Sequence, residues 1–265
     1  MKSTGVTTQS FINAILSGQT GESDVLRLAK TFGLDFVEIR NKGHLQASDV
    51  ERLAAQASLE GIRLHYGWDI GSLFDTDYLQ VYQAQLACAQ KCGSGAICRV
   101  VMDPSRISQR EQPVDYTTEE TALLEARVAE VNKMAADMDL TLAFENAWES
   151  PKGYFGMLDR IAGMRATLDT ANFLNIGQQR TRNDAREVLA LSTAHRAQIP
   201  YVHVKSTRNA VLLDTVVADG DFDWKAYAES RNDGSFCIEF PAADSFEESA
   251  ARTERSIKAL PELFA

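Results

Sequence analysis

Short apolar, β-branched-rich runs recur along the chain, each followed by a longer stretch whose apolar positions return every three or four residues. The runs at 3–7, 35–39, 62–66, 96–101, 140–145, 166–169, 201–205 and 236–240 predict eight strands. The stretches 22–32, 48–60, 77–92, 118–137, 154–162, 184–196, 223–230 and 246–259 predict helices. The clearest helix carries Leu123, Leu124, Val128, Val131 and Met134 on one face, with Thr117 and Glu120 spaced as a capping box. Strand then helix, repeated eight times, reads as a parallel sheet closed on itself. No Gly-rich fingerprint follows the first strand to favour an open nucleotide-binding sheet. The expectation is α/β, a single (β/α)8 TIM barrel domain over 1–265, close to the ~250 residues such a barrel needs.

Composition changes this picture little. The 265 residues are 45% hydrophobic, and no Pro-, Gly- or Ser-rich linker divides them. Lys and Arg number 27 against 37 Asp and Glu, a net charge of −10, which argues against a nucleic-acid partner because a phosphate backbone is held by a basic stripe. Cys88, Cys92, Cys98 and Cys237 are too few and too irregularly spaced for a disulfide framework or a zinc set, and read as small buried residues. The N-terminal segment lacks the pattern of a secretory signal, and no run approaches 18 apolar residues, so a cytoplasmic protein with no membrane partner is expected.

Candidate chemistry lies where strands end, because in such a barrel the C-terminal strand ends converge on one mouth. Strand two ends in Glu38 and Arg40, and strand three carries His65 with Trp68 and Asp69 following. Strand five delivers Glu145 and Asn146, and strand six Asp169 with Asn172 three residues on. Strand seven delivers His203 and Lys205, and strand eight Glu239. Taken singly, each carboxylate has an ordinary reading as a helix cap or ion-pair partner, and His203, between Val202 and Val204, as a satisfied core histidine. Together, Glu145, Asp169, His203 and Glu239 come from four successive strands and form a hard, mostly oxygen donor set suited to Mn²⁺, Mg²⁺ or Co²⁺, with Zn²⁺ admissible. A cation of that kind also explains how a carboxylate can end a buried apolar run such as LTLAFE, since unpaired it would cost several kcal/mol.

The segments FVEIR (36–40), LAFEN (142–146), TLDTANF (167–173), YVHVKS (201–206), GDFDW (220–224) and CIEF (237–240) stand in the order and at the spacing of a known family. In them the chain resembles the xylose-isomerase-like barrel superfamily of sugar isomerases and epimerases, most nearly the branch of ketose 3-epimerases, hydroxypyruvate isomerase and inosose dehydratases. The resemblance implies metal ligation by Glu145, Asp169, His203 and Glu239. It also implies acid and base roles for Glu145 and Glu239 on opposite faces of the substrate, and the pairing into oligomers that relatives show. The family often has His where this chain has Asn172, and Asp where it has Ser206, differences that bear on substrate contacts rather than on ligation.

The reaction implied is proton abstraction next to the carbonyl of a small carbohydrate, giving an enediolate with Lys205 or Arg208 as donors. Return of the proton then gives an epimer or an isomer, and departure of hydroxide a dehydrated sugar. Asn172, Lys205, Arg208, His65, Arg40 and Glu38 are the candidate substrate contacts. His65 reads equally well as a proton donor or a structural hydrogen bond, and Trp68 and Trp148 as pocket walls or packing. Arg40 suits a phosphate, a carboxylate, or simply Glu38. The alternatives are a metal-dependent dehydratase, lyase or decarboxylase of a keto-sugar or sugar acid, and a sugar-binding barrel without turnover. Pocket shape is expected to depend on the loops 103–116 and 206–219.

Overall fold

The computed structural model describes residues 2–104, 115–179, 182–231 and 233–264. Eight strands, β1 (Lys2–Thr7), β2 (Phe36–Asn41), β3 (Arg63–Trp68), β4 (Ile97–Val101), β5 (Thr141–Glu145), β6 (Ala166–Asp169), β7 (Tyr201–Val204) and β8 (Gly234–Ile238), pair in parallel, and β8 closes onto β1. The expected helices lie between them, among them Thr118–Asp137, whose Thr117 and Glu120 form the capping box. The structure adds short helices that periodicity could not reveal, Thr8–Phe11, Ile12–Leu16, Thr170–Leu174 and Ile176–Gln179, each too brief to show a repeating face. β7 and β8 stop one residue before Lys205 and two residues or fewer before Phe240, so Lys205 and Glu239 sit just past the strand tips. Most of the loop 103–116 lies outside the described residues. No described helix is long and apolar enough to cross a membrane.

Alternation along the strands sorts side chains into two layers. One parity, including Val37, Ile39, Leu64, Tyr66, Trp68, Val100, Leu142, Phe144, Val202 and Ile238, belongs to the large apolar cluster shared with the helices. Trp68 is fully buried there, 5.6 Å from the Tyr82 ring and 5.9 Å from Tyr66, so it packs the shell and does not wall the pocket. The opposite parity fills the barrel. Phe36, Ile97, Ala143, Tyr201 and Cys237 form a separate small apolar plug. Two residues further along the same strands, the interior turns polar, with Glu38, Arg99, Glu145, His203 and Glu239 all buried.

Two glycines make this interior possible. A Cβ on Gly5 would lie 2.4 Å from the Phe36 ring and 2.5 Å from the Phe36 carbonyl oxygen, so β1 can approach β2 only without a side chain. A Cβ on Gly67 would lie 3.0 Å from Arg40 Nε and 3.3 Å from Glu38 Oε1, and the bare position leaves room for that ion pair.

Candidate active site

His203 is the hub. Its Nε2 lies 2.9 Å from Glu38 Oε2, and its Nδ1 lies 2.9 Å from Glu145 Oε1, 3.0 Å from Glu239 Oε2 and 4.0 Å from Asp169 Oδ2. The four side chains singled out from the strand ends therefore do meet: one donor atom from each of Glu145, Asp169, His203 and Glu239 lies within 4.8 Å of all the others. Ligands bonded at about 2.0–2.6 Å to a common ion would have that mutual spacing. With an ion bound at Nδ1, the Nε2 proton would go to Glu38, the arrangement by which an outer carboxylate orients a metal-ligating histidine. The donor set thus fits a hard divalent ion.

Basic residues interleave with these acids. Lys205 Nζ lies 2.6 Å from Asp169 Oδ2 and 2.7 Å from Glu239 Oε1. Arg40 donates to Glu38 Oε1 from Nε at 3.1 Å and Nη2 at 2.7 Å, and reaches Glu239 Oε2 at 3.3 Å. Arg99 pairs with Glu145 Oε2 and Asp69 Oδ1. Burial alone would raise the Glu239 pKa, but Lys205, His203 and Arg40 outweigh it and hold that carboxyl down at about 2. Burial likewise opposes ionisation of Glu38, and Arg40 with His203 carries it well below the ordinary carboxylate range. Lys205 is raised, with Asp169 and Glu239 overcoming the effect of burial. Glu38 and Glu239 are thereby held as carboxylates and Lys205 as a cation.

Of these side chains, Arg40, Arg99, Glu145, Lys205 and Glu239 line a cleft of about 330 Å³, whose walls also include Gln9, Asp69 and Trp148, while Glu38, Asp169 and His203 are fully buried beside it. Asn172 also lines it, and anchors the tips of β5 and β6. Its Nδ2 donates to the Asn146 carbonyl at 2.8 Å, while Asn146 brackets the Asp169 backbone with two 2.7 Å bonds. Asp169 Oδ1 accepts from Asn172 N–H at 3.1 Å, so the capping role foreseen for this aspartate coexists with its place in the cluster.

Two of the expected contacts lie elsewhere. Arg208 sits on a hairpin formed by Thr207–Arg208 and Val211–Leu212, pairs with Asp219, and is half exposed away from the cleft lining. The hairpin turns on Asn209 and Ala210 at φ 53° and 63°, with Asp221 accepting both of their N–H groups, and this turn carries Arg208 outward. His65 lies below the cleft, its Nδ1 accepting from Ile97 N–H at 3.1 Å and its ring 4.7 Å from Phe36 and 5.5 Å from Tyr201. It is part of the interior packing, in line with the structural reading. Conversely, Arg99 and Asp69 enter the site without having been singled out as site residues. The signal was parity: in AICRVV, Arg99 shares the inward face with Ile97, and no helix-facing partner explains a charge there.

Burial and the Arg63 charge lower His65 from 6.5 to about 4. The folded state therefore keeps this ring neutral where the unfolded chain would take up a proton. Its contribution to stability is complete above pH 6.5 and declines as pH falls toward 4, by at most about 3 kcal/mol. Urea titrations between pH 7 and 4.5 should show a loss of stability that is smaller in His65→Asn, and equal slopes for the two proteins would contradict the assignment.

The family model of xylose isomerase-like TIM barrels matches residues 26–263. No curated protein matches the chain. Among solved structures, L-ribulose 3-epimerase superposes with a TM-score of 0.73 at 14% identity, covering 100% of this chain and 95% of that one. D-psicose 3-epimerase, solved in the presence of D-fructose, gives 0.72 at 12% identity, covering 99% and 100%. A xylose isomerase-like TIM barrel protein from Mycobacterium smegmatis, in complex with magnesium, gives 0.64 at 16% identity, covering 92% and 89%. A match over nearly the whole barrel settles the lineage: the chain belongs to the xylose isomerase-like TIM barrel family.

Proposed function

We propose that the protein is a divalent-metal-dependent isomerase or epimerase of a small sugar or hydroxy-ketone, working through an enediolate with Glu145 and Glu239 as its acid and base. The observation that carries this reading is the convergence of Glu145, Asp169, His203 and Glu239 within 4.8 Å, with His203 oriented from behind by Glu38. The ketose epimerases among the structural neighbours agree with it. A bound ion would polarise the substrate carbonyl and acidify the adjacent C–H.

The chain's own residues supply the rest. Glu239, held ionised by Lys205 and Arg40, is ready to accept a proton from carbon. Glu145 reaches the same centre from β5, three strands around the barrel from β8, and can serve the other side of a substrate lying between them. Lys205 and Arg99 line the same cleft and would offer N–H donors to a developing oxyanion. Trp148 shields one wall from water, and the modest cleft suits a small substrate rather than a polymer.

Manganese titration followed by electron paramagnetic resonance should show one tight site per chain. In D2O, at least one member of a panel of C3 to C6 ketoses and hydroxy-keto acids should then acquire deuterium next to the carbonyl, and chelation should return exchange to background. Absence of manganese uptake together with indifference to chelator would defeat this function.

A further inference from the structure

At the rim of the cleft, three cations gather around one carboxylate. Asp69, the first residue after β3, receives Arg99 Nη1 and Lys42 Nζ, and Arg40 Nη1 lies 3.6 Å from its Oδ2. A single carboxylate balances one of these charges. The others lean on Glu38, Glu145 and Glu239, which the functional reading assigns to the metal centre and its support. Arg99 Nε is moreover buried without an acceptor among the described residues, although Arg99 as a whole is 5% exposed. A buried donor left unmade is unfavourable, and it invites an acceptor from outside the chain.

Charge balance indicates what that acceptor is. With His203 neutral, as a metal ligand must be, the ion-pair network about the cleft holds five carboxylates, Glu38, Asp69, Glu145, Asp169 and Glu239, and four cations, Arg40, Lys42, Arg99 and Lys205, an excess of one negative charge. A divalent ion on the ligand cluster turns this into an excess of one positive charge. Bonded to such an ion, Glu145, Asp169 and Glu239 would lend less to Arg99, Lys205 and Arg40. An uncompensated charge in so enclosed a place is strongly disfavoured, and a singly charged anion cancels it. Paired guanidinium groups match the plane and the two oxygens of a carboxylate. A phosphate dianion would overshoot the balance by one.

Resting on the functional reading above, the geometry points to an anion subsite formed by Arg40, Lys42 and Arg99 about Asp69, and hence to a substrate that is a hydroxy-keto acid or sugar acid rather than a neutral ketose.

Calorimetry on the manganese-loaded protein with three probes of one carbon skeleton, glycerate, glycerol and glycerol 3-phosphate, tests this. Glycerate should bind at least about tenfold more tightly than glycerol, the scale of one charge-assisted contact, and Lys42→Met or Arg99→Met should remove most of that preference. The Lys42 side chain is one-third exposed, so its methionine variant is expected to fold, as circular dichroism would verify. Equal binding of glycerate and glycerol overturns the subsite. So does a preference that survives both substitutions, since the ion alone would then explain it. Tighter binding of glycerol 3-phosphate overturns the carboxylate assignment. The two levels of failure are separable by paramagnetic resonance: a chain that takes up no manganese sinks the functional reading and this inference with it. One that takes up manganese yet ignores the carboxylate sinks only the inference.

Discussion

Glu239→Gln is expected to reduce deuterium exchange into the substrate by about 10²–10⁴-fold while leaving the barrel folded. The substitution preserves shape and removes the ability to accept a proton. The proposed base role of Glu239 rests on surroundings that hold it ionised: Lys205 Nζ at 2.7 Å on one oxygen, Arg40 Nη2 at 3.3 Å and His203 Nδ1 at 3.0 Å on the other. Proton NMR in D2O of whichever panel compound exchanges gives the rate, and manganese resonance on the same sample separates a lost base from a lost ligand. Retained manganese with lost exchange assigns Glu239 to proton transfer. Undiminished exchange removes it from the acid–base pair.

Glu38→Leu should be the more damaging change to the fold, costing about 3–5 kcal/mol. Glu38 is completely buried and serves three partners at once: Arg40, His203 Nε2 and the Thr7 hydroxyl, which donates to its Oε1 at 2.8 Å. Leucine would take the nearest acceptor from a guanidinium whose side chain is only 3% exposed, leaving it only the longer contacts to Glu239 at 3.3 Å and Asp69 at 3.6 Å. Glu38→Gln retains the shape and an acceptor, so its main effect should fall on manganese affinity, lowered about 10–100-fold through loss of the charged group behind His203. Denaturant titration and manganese titration of the two variants measure these effects independently. A leucine variant as stable as the parent would show that the interior ion pairs contribute no net stability.

The fold was largely legible from periodicity. Repeats of two and of 3.6 residues are local properties, and they located all eight strands and the helices between them. The short helices after β1 and β6 escaped because one turn has no period to detect. Local capping chemistry also read correctly at Thr117 and Glu120, since both partners lie within four residues of each other.

The site was legible only in part. Glu145, Asp169, His203 and Glu239 could be grouped because strand ends in a closed barrel share one mouth, a consequence of topology alone. Arg208 follows a strand in sequence and leaves it in space, because a two-residue turn at Asn209 and Ala210 reverses the chain. Asp69 and Arg99 come from neighbouring strands, and their partnership depends on register across the β3–β4 pair. His65 shares the inward parity of Glu38 and pairs with it in register, yet it packs against Phe36 and Tyr201 beneath the charged layer. Strand tilt moves neighbouring residues to different heights, which no count along one strand can reveal.

By itself the sequence determined the order of strands and helices, the side of the sheet each residue faces, and the chemical types available at the strand tips. These follow from backbone periodicity and side-chain chemistry, which need no partner to be defined. Only the tertiary structure decided which charges meet: that His203 joins Glu38 to the acidic cluster, that Arg40, Lys42 and Arg99 converge on Asp69, and that Arg208 turns away. Electrostatic and metal-binding capacity depend on separations of a few ångströms between residues distant along the chain, and closure of the barrel with its particular stagger is what sets those separations.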